Sequence, residues 1–175
     1  QNILDVGGTT TGKTTLTNAI IDRMVQATPH HRLVIIEDTA EIQCAAPNAV
    51  IMRATDTVDM QRLLKATLRL RPDRIIVGEV RGGEALAMLK AWNTGHPGGA
   101  CTVHANHARA GLTRVEQMIA EVSQTPMRAL IAEAVNLIVS IVRTDTPPGR
   151  RIHEVMAVNG FGDGDYRFVS MEQPE

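Results

Sequence analysis

Gly7-Gly8-Thr9-Thr10-Thr11-Gly12-Lys13-Thr14, followed by Thr15, fits the pattern G-x-x-x-x-G-K-[ST]. Residues of these types in this order can hold polyphosphate. The glycines let the backbone come close, unpaired N–H groups at a helix start face the phosphate oxygens, and Lys13 reaches the β- and γ-phosphates as a point charge. The Thr14 hydroxyl is then placed to ligate Mg²⁺. The octet arises by chance in about one chain of this length in a hundred. Its position between an apolar run, Ile3-Leu4-Asp5-Val6, and a helical pattern makes coincidence rarer still.

Carboxylates and histidines recur downstream at comparable places. Glu37 follows the run Leu33-Val34-Ile35-Ile36 and suits a group that orients or deprotonates an attacking water, with Asp38 and Glu41 beside it to arrange water and Mg²⁺. A solvated acidic turn is the plainer reading of that cluster. Glu79 follows Ile75-Ile76-Val77-Gly78, where a Walker B acid belongs; as glutamate rather than aspartate it suits a water-mediated Mg²⁺ contact. His104 after Ala100-Cys101-Thr102-Val103, and His96 in the preceding loop, could sense phosphate as neutral imidazoles or simply be packed polar residues. His104 and His107 are i, i+3 neighbours, but no third ligand lies at a supporting spacing. Arg69, Arg71, Arg74 and Arg81 crowd the approach to Glu79, and of these Arg81 is nearest the site.

These side chains need strands to deliver them. Helical spacing follows Lys13 (Leu16, Ala19, Ile20, Met24, Ala27), then precedes Pro72 (Met60, Leu63, Leu64, Thr67, Leu68), and recurs at Ala85 to Trp92, Leu112 to Val122 and Met127 to Val135. Continuous apolar runs at 3–6, 33–36, 75–77, 100–103 and 137–142 alternate with those helices, which predicts an α/β fold with a mostly parallel sheet and helices on both faces. Ligands of such sheets bind at the carboxyl ends of the strands, where Thr14, Glu37, Glu79 and His104 fall. Ile152 to Val158 and Tyr166 to Ser170 flank a Gly/Asp-rich turn and predict a C-terminal antiparallel hairpin. The chain therefore reads as a single domain over 1–175, with a core at 1–146 and the hairpin and tail at 147–175.

Composition narrows the function. The 175 residues are 43% hydrophobic with a net charge of -1, which fits one domain and argues against an electrostatic grip on DNA. Aromatics at 2% leave little to stack bases on. No apolar run is long enough to span a membrane. Cys44 and Cys101 have no metal or redox spacing and read as reduced residues. The chain starts at Gln1, with the first strand almost immediately after it, so an N-terminal domain of the native protein is expected to be missing.

Four blocks together, at 7–15, 35–41, 76–81 and 94–106, resemble the secretion ATPase superfamily of type II and type IV secretion, pilus and conjugation motors. Glu-Asp-Thr-Ala-Glu at 37–41 and the 149–155 segment are most similar to its TrbB-type conjugal transfer ATPases. The resemblance implies a RecA-like core, ATP and Mg²⁺ as cofactors, catalytic Glu37, Walker B Glu79 and phosphate-sensing His104. It also implies a hexameric ring of identical subunits that works with secretion machinery at the cytoplasmic face of the inner membrane. Two residues depart from the pattern: Thr10 in a turn that favours glycine, and Asp5 inside the first strand. They leave open a nucleotide-binding scaffold with impaired hydrolysis.

Overall fold

The computed structural model describes residues 1–171. Its eight strands are β1 (Ile3–Gly7), β2 (Leu33–Glu37), β3 (Ala49–Arg53), β4 (Arg74–Glu79), β5 (Ala100–His104), β6 (Leu137–Arg143), β7 (Arg150–Gly162) and β8 (Asp165–Ser170). They form one sheet in the order β3-β2-β4-β5-β1-β6-β7-β8. The first six strands in that order run parallel, and β7 and β8 continue the sheet antiparallel. Among the described residues there are five helices, α1 (Lys13–Ala27), α2 (Met60–Thr67), α3 (Glu84–Asn93), α4 (Ala108–Ala120) and α5 (Arg128–Ala134), with a 3-10 turn at Leu68–Leu70.

Continuous apolar runs become central strands because a helix-covered sheet buries both faces. Strand alternation then sorts the side chains. Val34, Ile36, Ile75, Val77, Leu4, Val6 and Val103 join residues of α2, α3, α4 and α5 in the larger core. Leu33, Ile35, Ile76 and Ala100 face the other way and meet Ile21 of α1 in a smaller one. Helices thus cover both faces, as expected, but four lie on one side and α1 lies alone on the other.

Two features differ from the sequence reading. The buried positions of α1 are Lys13, Thr17 and Ile21, whereas Ala19 and Ala27 are exposed and Leu16, Ile20 and Met24 half-buried. The i, i+4 row that begins at the lysine turns inward, so polar function overrides apolar period. The second feature, β3, has no counterpart in the expected strands. It is a short edge strand whose Ile51 remains exposed, and it ranks too weakly by pattern alone. The hairpin forms as expected, with Asp163 and Gly164 at positive φ in the tight turn. Residues 172–175 of the expected tail lie outside the described residues.

Candidate functional site

Gly7, Glu37, Glu79 and His104 end β1, β2, β4 and β5, which are neighbours in the sheet. One cleft of about 440 Å³ lies over these ends, lined by residues from Thr9 to Thr15 together with Glu37, Glu41, Glu79 and His104. The loop from β1 to α1 needs left-handed backbone at Gly12 (φ 98°) and at Thr10 (φ 61°). A threonine there costs about 1–2 kcal/mol, and Arg143 Nη1 supports it from β6 with a 3.3 Å bond to its hydroxyl. Lys13 Nζ donates to the carbonyls of Gly7 and Gly8, both at 2.9 Å, and so wraps the loop around its own ammonium. Burial lowers the Lys13 pKa, opposed by Glu79 and Glu41.

Asp5 lies directly beneath this loop and is completely buried. Its Oδ2 is 2.6 Å from Thr17 Oγ1, which is also 3.0 Å from the Lys13 carbonyl. One hydroxyl proton cannot serve two acceptors; a protonated Asp5 supplies the second and lets both bonds form. The carboxyl is pushed up to about 7 by burial, which Thr17 only partly offsets.

His104 joins the two sides of the cleft. Its Nδ1 is 3.3 Å from Lys13 Nζ, and because an ammonium only donates, Nδ1 accepts and the ring proton belongs on Nε2. Nε2 stands 2.9 Å from Glu79 Oε1, although that oxygen receives no well-aligned hydrogen bond. Glu79 Oε2 takes Arg81 Nε at 2.9 Å, and Arg81 Nη1 continues to Asp38 Oδ2 at 2.7 Å. Arg81 therefore ties Asp38 to Glu79.

The two glutamates of the acidic cluster occupy different surroundings. Glu37 is 1% exposed; its Oε2 accepts the amides of Glu41 and Ile42, each at 3.0 Å, and its Oε1 accepts Arg53 Nε at 3.0 Å. Burial pushes its carboxyl up, but the Ile42 amide, the Arg53 guanidinium and the Glu41 amide together hold it below the usual carboxylate range. A carboxylate so occupied is a weak base and an anchor for the turn. Glu41 is exposed, and its Oε2 accepts the Thr14 hydroxyl at 2.8 Å.

Other expected residues lie elsewhere. His96 precedes β5, at the end of that strand opposite His104, and its Nδ1 lies 3.3 Å from the Ala91 carbonyl at the end of α3. It is therefore not an accessory to this cleft. His107 caps α4 by accepting the Ala110 amide, and among the described residues no His/Cys/Asp/Glu cluster suits a metal ion. Arg74 is used internally, on Gly98 and Thr28. Cys44 and Cys101 are free. Sequence reasoning missed Arg53, which pairs with Glu37 in the β2–β3 register, and Arg150, which lines the cleft from β7. The signal for Arg53 was the apolar triplet Val50-Ile51-Met52 before it.

The doubly covered parallel sheet, with its glycine-rich loop and carboxylates at the strand ends, has the RecA-like fold of the secretion ATPases. The crystal structure of the VirB11 ATPase from the Brucella suis type IV secretion system in complex with sulphate superposes with a TM-score of 0.81 at 30% identity, over 90% of this chain and 48% of that one. The pilus retraction motor PilT with bound ADP superposes with a TM-score of 0.71 at 28% identity, over 88% and 46%. The Type II/IV secretion system protein family matches residues 1–169, and the chain belongs to that family. It is 59% identical to the probable conjugal transfer protein TrbB of Sinorhizobium fredii, over 99% of this chain and 53% of that protein. It is 61% identical to the conjugal transfer protein TrbB of Rhizobium radiobacter, over 100% and 54%. The chain thus spans about half the length of the curated relatives it matches.

Proposed function

We propose that this domain binds ATP with Mg²⁺ in the cleft and hydrolyses it, as one subunit of a hexameric ring that powers a conjugative DNA-transfer or related type IV secretion machine. The observation that carries this reading is the convergence of four neighbouring strand ends on Lys13. The cation, the helix start and the loop amides suit polyphosphate, while the oxygens of Thr14 and Glu79 suit a hard divalent cation. Relatives named for conjugal transfer, and a related motor with ADP bound, support it.

In this reading Thr14 and, through water, Glu79 would hold Mg²⁺, which would neutralise charge on the phosphates. Residues from Gly7 to Thr15 cradle those phosphates. His104, lodged between Lys13 and Glu79, links the γ-phosphate position to the Walker B carboxylate. The water-orienting part passes from Glu37 to Glu41, because Glu37 has its oxygens committed while Glu41 is accessible beside Thr14. Glu37 and Arg53 then act as positioning residues for the turn that carries Glu41. Among the described residues no helix is long and apolar enough to cross a membrane; docking at the cytoplasmic face of the inner membrane is assigned to partner proteins.

Steady-state Mg²⁺-ATP hydrolysis and nucleotide binding, compared between the unaltered protein and Lys13→Ala, test the proposal. Turnover and binding that both vanish in the variant are expected. Binding without turnover in the unaltered protein would favour a nucleotide-binding scaffold, the alternative that Asp5 and the strained Thr10 suggest.

A further inference from the structure

Arg150 opens β7, immediately after the turn in which the Thr144 amide donates to the Gly149 carbonyl at 3.0 Å. Its side chain lies against Gly12, the residue that caps the start of α1. A Cβ built on Gly12 would stand 2.9 Å from Arg150 Cδ, 3.2 Å from Nε and 3.5 Å from Cζ. The missing side chain at Gly12 thus serves two purposes: it permits the positive φ and makes room for a guanidinium. The same arginine lines the cleft with Lys13.

Arg150 is exposed to solvent and stands among positive elements. The start of a 15-residue helix carries positive partial charge, and Lys13 adds a full one. Among the described residues no carboxylate pairs with Arg150. Its β-register partner Arg143 is engaged differently, on the Thr10 hydroxyl. What reconciles three positive elements at one spot is an anion between them, and a planar guanidinium matches phosphate oxygens in pairs.

We propose that Arg150 is a nucleotide ligand, its guanidinium taking the phosphates that ADP and ATP share, so that the C-terminal strand closes the phosphate site from the side opposite Glu41. The proposal rests on the nucleotide reading above. It assigns β7 a binding role beyond extending the sheet.

Calorimetric titration of Mg²⁺-ADP and Mg²⁺-ATP into the protein tests it, with Arg150→Ala, Arg150→Gln, Arg151→Ala and Lys13→Ala alongside. Arg151 is exposed and, by strand alternation, points to the other face of β7, so its variant should bind as the unaltered protein does. Arg150→Ala should bind both nucleotides roughly 10- to 100-fold more weakly. Arg150→Gln, which keeps most of the stem on Gly12, should do the same, with the unfolding temperature of the free protein unchanged. Normal affinity in both Arg150 variants while Lys13→Ala loses binding would overturn the assignment and leave the nucleotide reading intact. A loss confined to ATP would place the guanidinium at the γ-phosphate and overturn it as stated. Absence of binding by the unaltered protein would refute the nucleotide reading, and this assignment with it.

Discussion

Asp5→Asn should stabilise the protein increasingly as pH rises. Asp5 is completely buried, has one hydrogen-bond partner, Thr17, and leaves Oδ1 without any. Its carboxyl is pushed up to about 7 in the folded protein from an ordinary 3.8. The folded state therefore holds a proton that the unfolded chain releases. Stability from this group is fully present below 3.8 and is lost as pH rises toward 7, above which the loss levels off. That span corresponds to about 4 kcal/mol in all, of which about 2.5 kcal/mol falls between pH 5 and pH 8. Asparagine does not titrate, so the variant escapes the loss. Constant differences in packing or hydrogen bonding between the two side chains displace the curve without altering its shape. Urea unfolding at pH 5, 6, 7 and 8, followed by far-UV circular dichroism, gives the free-energy difference directly. A difference between variant and unaltered protein that stays constant across that range would refute the claim that Asp5 is protonated beneath the loop.

Arg53→Ala should cost about 1–2 kcal/mol at neutral pH by stripping a charge-assisted bond from buried Glu37. Glu37 is held below its usual range, so its contribution is present above its unfolded pKa and lost as pH falls through the folded value. The gap between variant and unaltered protein should therefore narrow in acid, as read from denaturant midpoints. Trp92 donates to the Ile75 carbonyl at 3.0 Å in the core, so Trp92→Phe should cost about 1–3 kcal/mol in thermal unfolding. Gly99→Ala should destabilise by at least about 2 kcal/mol, because its Cβ would fall 2.4 Å from the same carbonyl and on the Trp92 ring nitrogen. Thr10→Gly should be close to neutral in unfolding temperature, the relieved strain of about 1–2 kcal/mol at φ 61° being offset by added chain entropy of about 0.5–1 kcal/mol together with the lost Arg143 bond.

Much of this architecture was legible because it is written in long, regular signals. Leu33-Val34-Ile35-Ile36 and Ile75-Ile76-Val77 can only be buried strands in a sheet covered on both sides, and their ends had to carry Glu37 and Glu79 to the loop at Gly7. Local pattern could not say how the acidic cluster divides its work. Glu37 and Glu41 are four residues apart in one turn, and only the cross-strand neighbour Arg53 and the amides of Glu41 and Ile42 show which of them is anchored. Arg150 was invisible for the same reason. Its contact with Gly12 spans nearly the whole chain and depends on β6 and β7 pairing beside β1. His96 misled because a histidine close to His104 in sequence stands a full strand length away in space.

The most direct measurement is Mg²⁺-ATP binding and turnover by Glu41→Gln and Glu37→Gln beside the unaltered protein. Glu41→Gln should bind nucleotide normally and lose turnover by roughly 10²- to 10⁴-fold, whereas Glu37→Gln should first lose stability, as the turn over residues 38–42 comes free of its anchor. Full turnover in Glu41→Gln, with a well-folded but inactive Glu37→Gln, would contradict this division of roles and return the water-orienting part to Glu37.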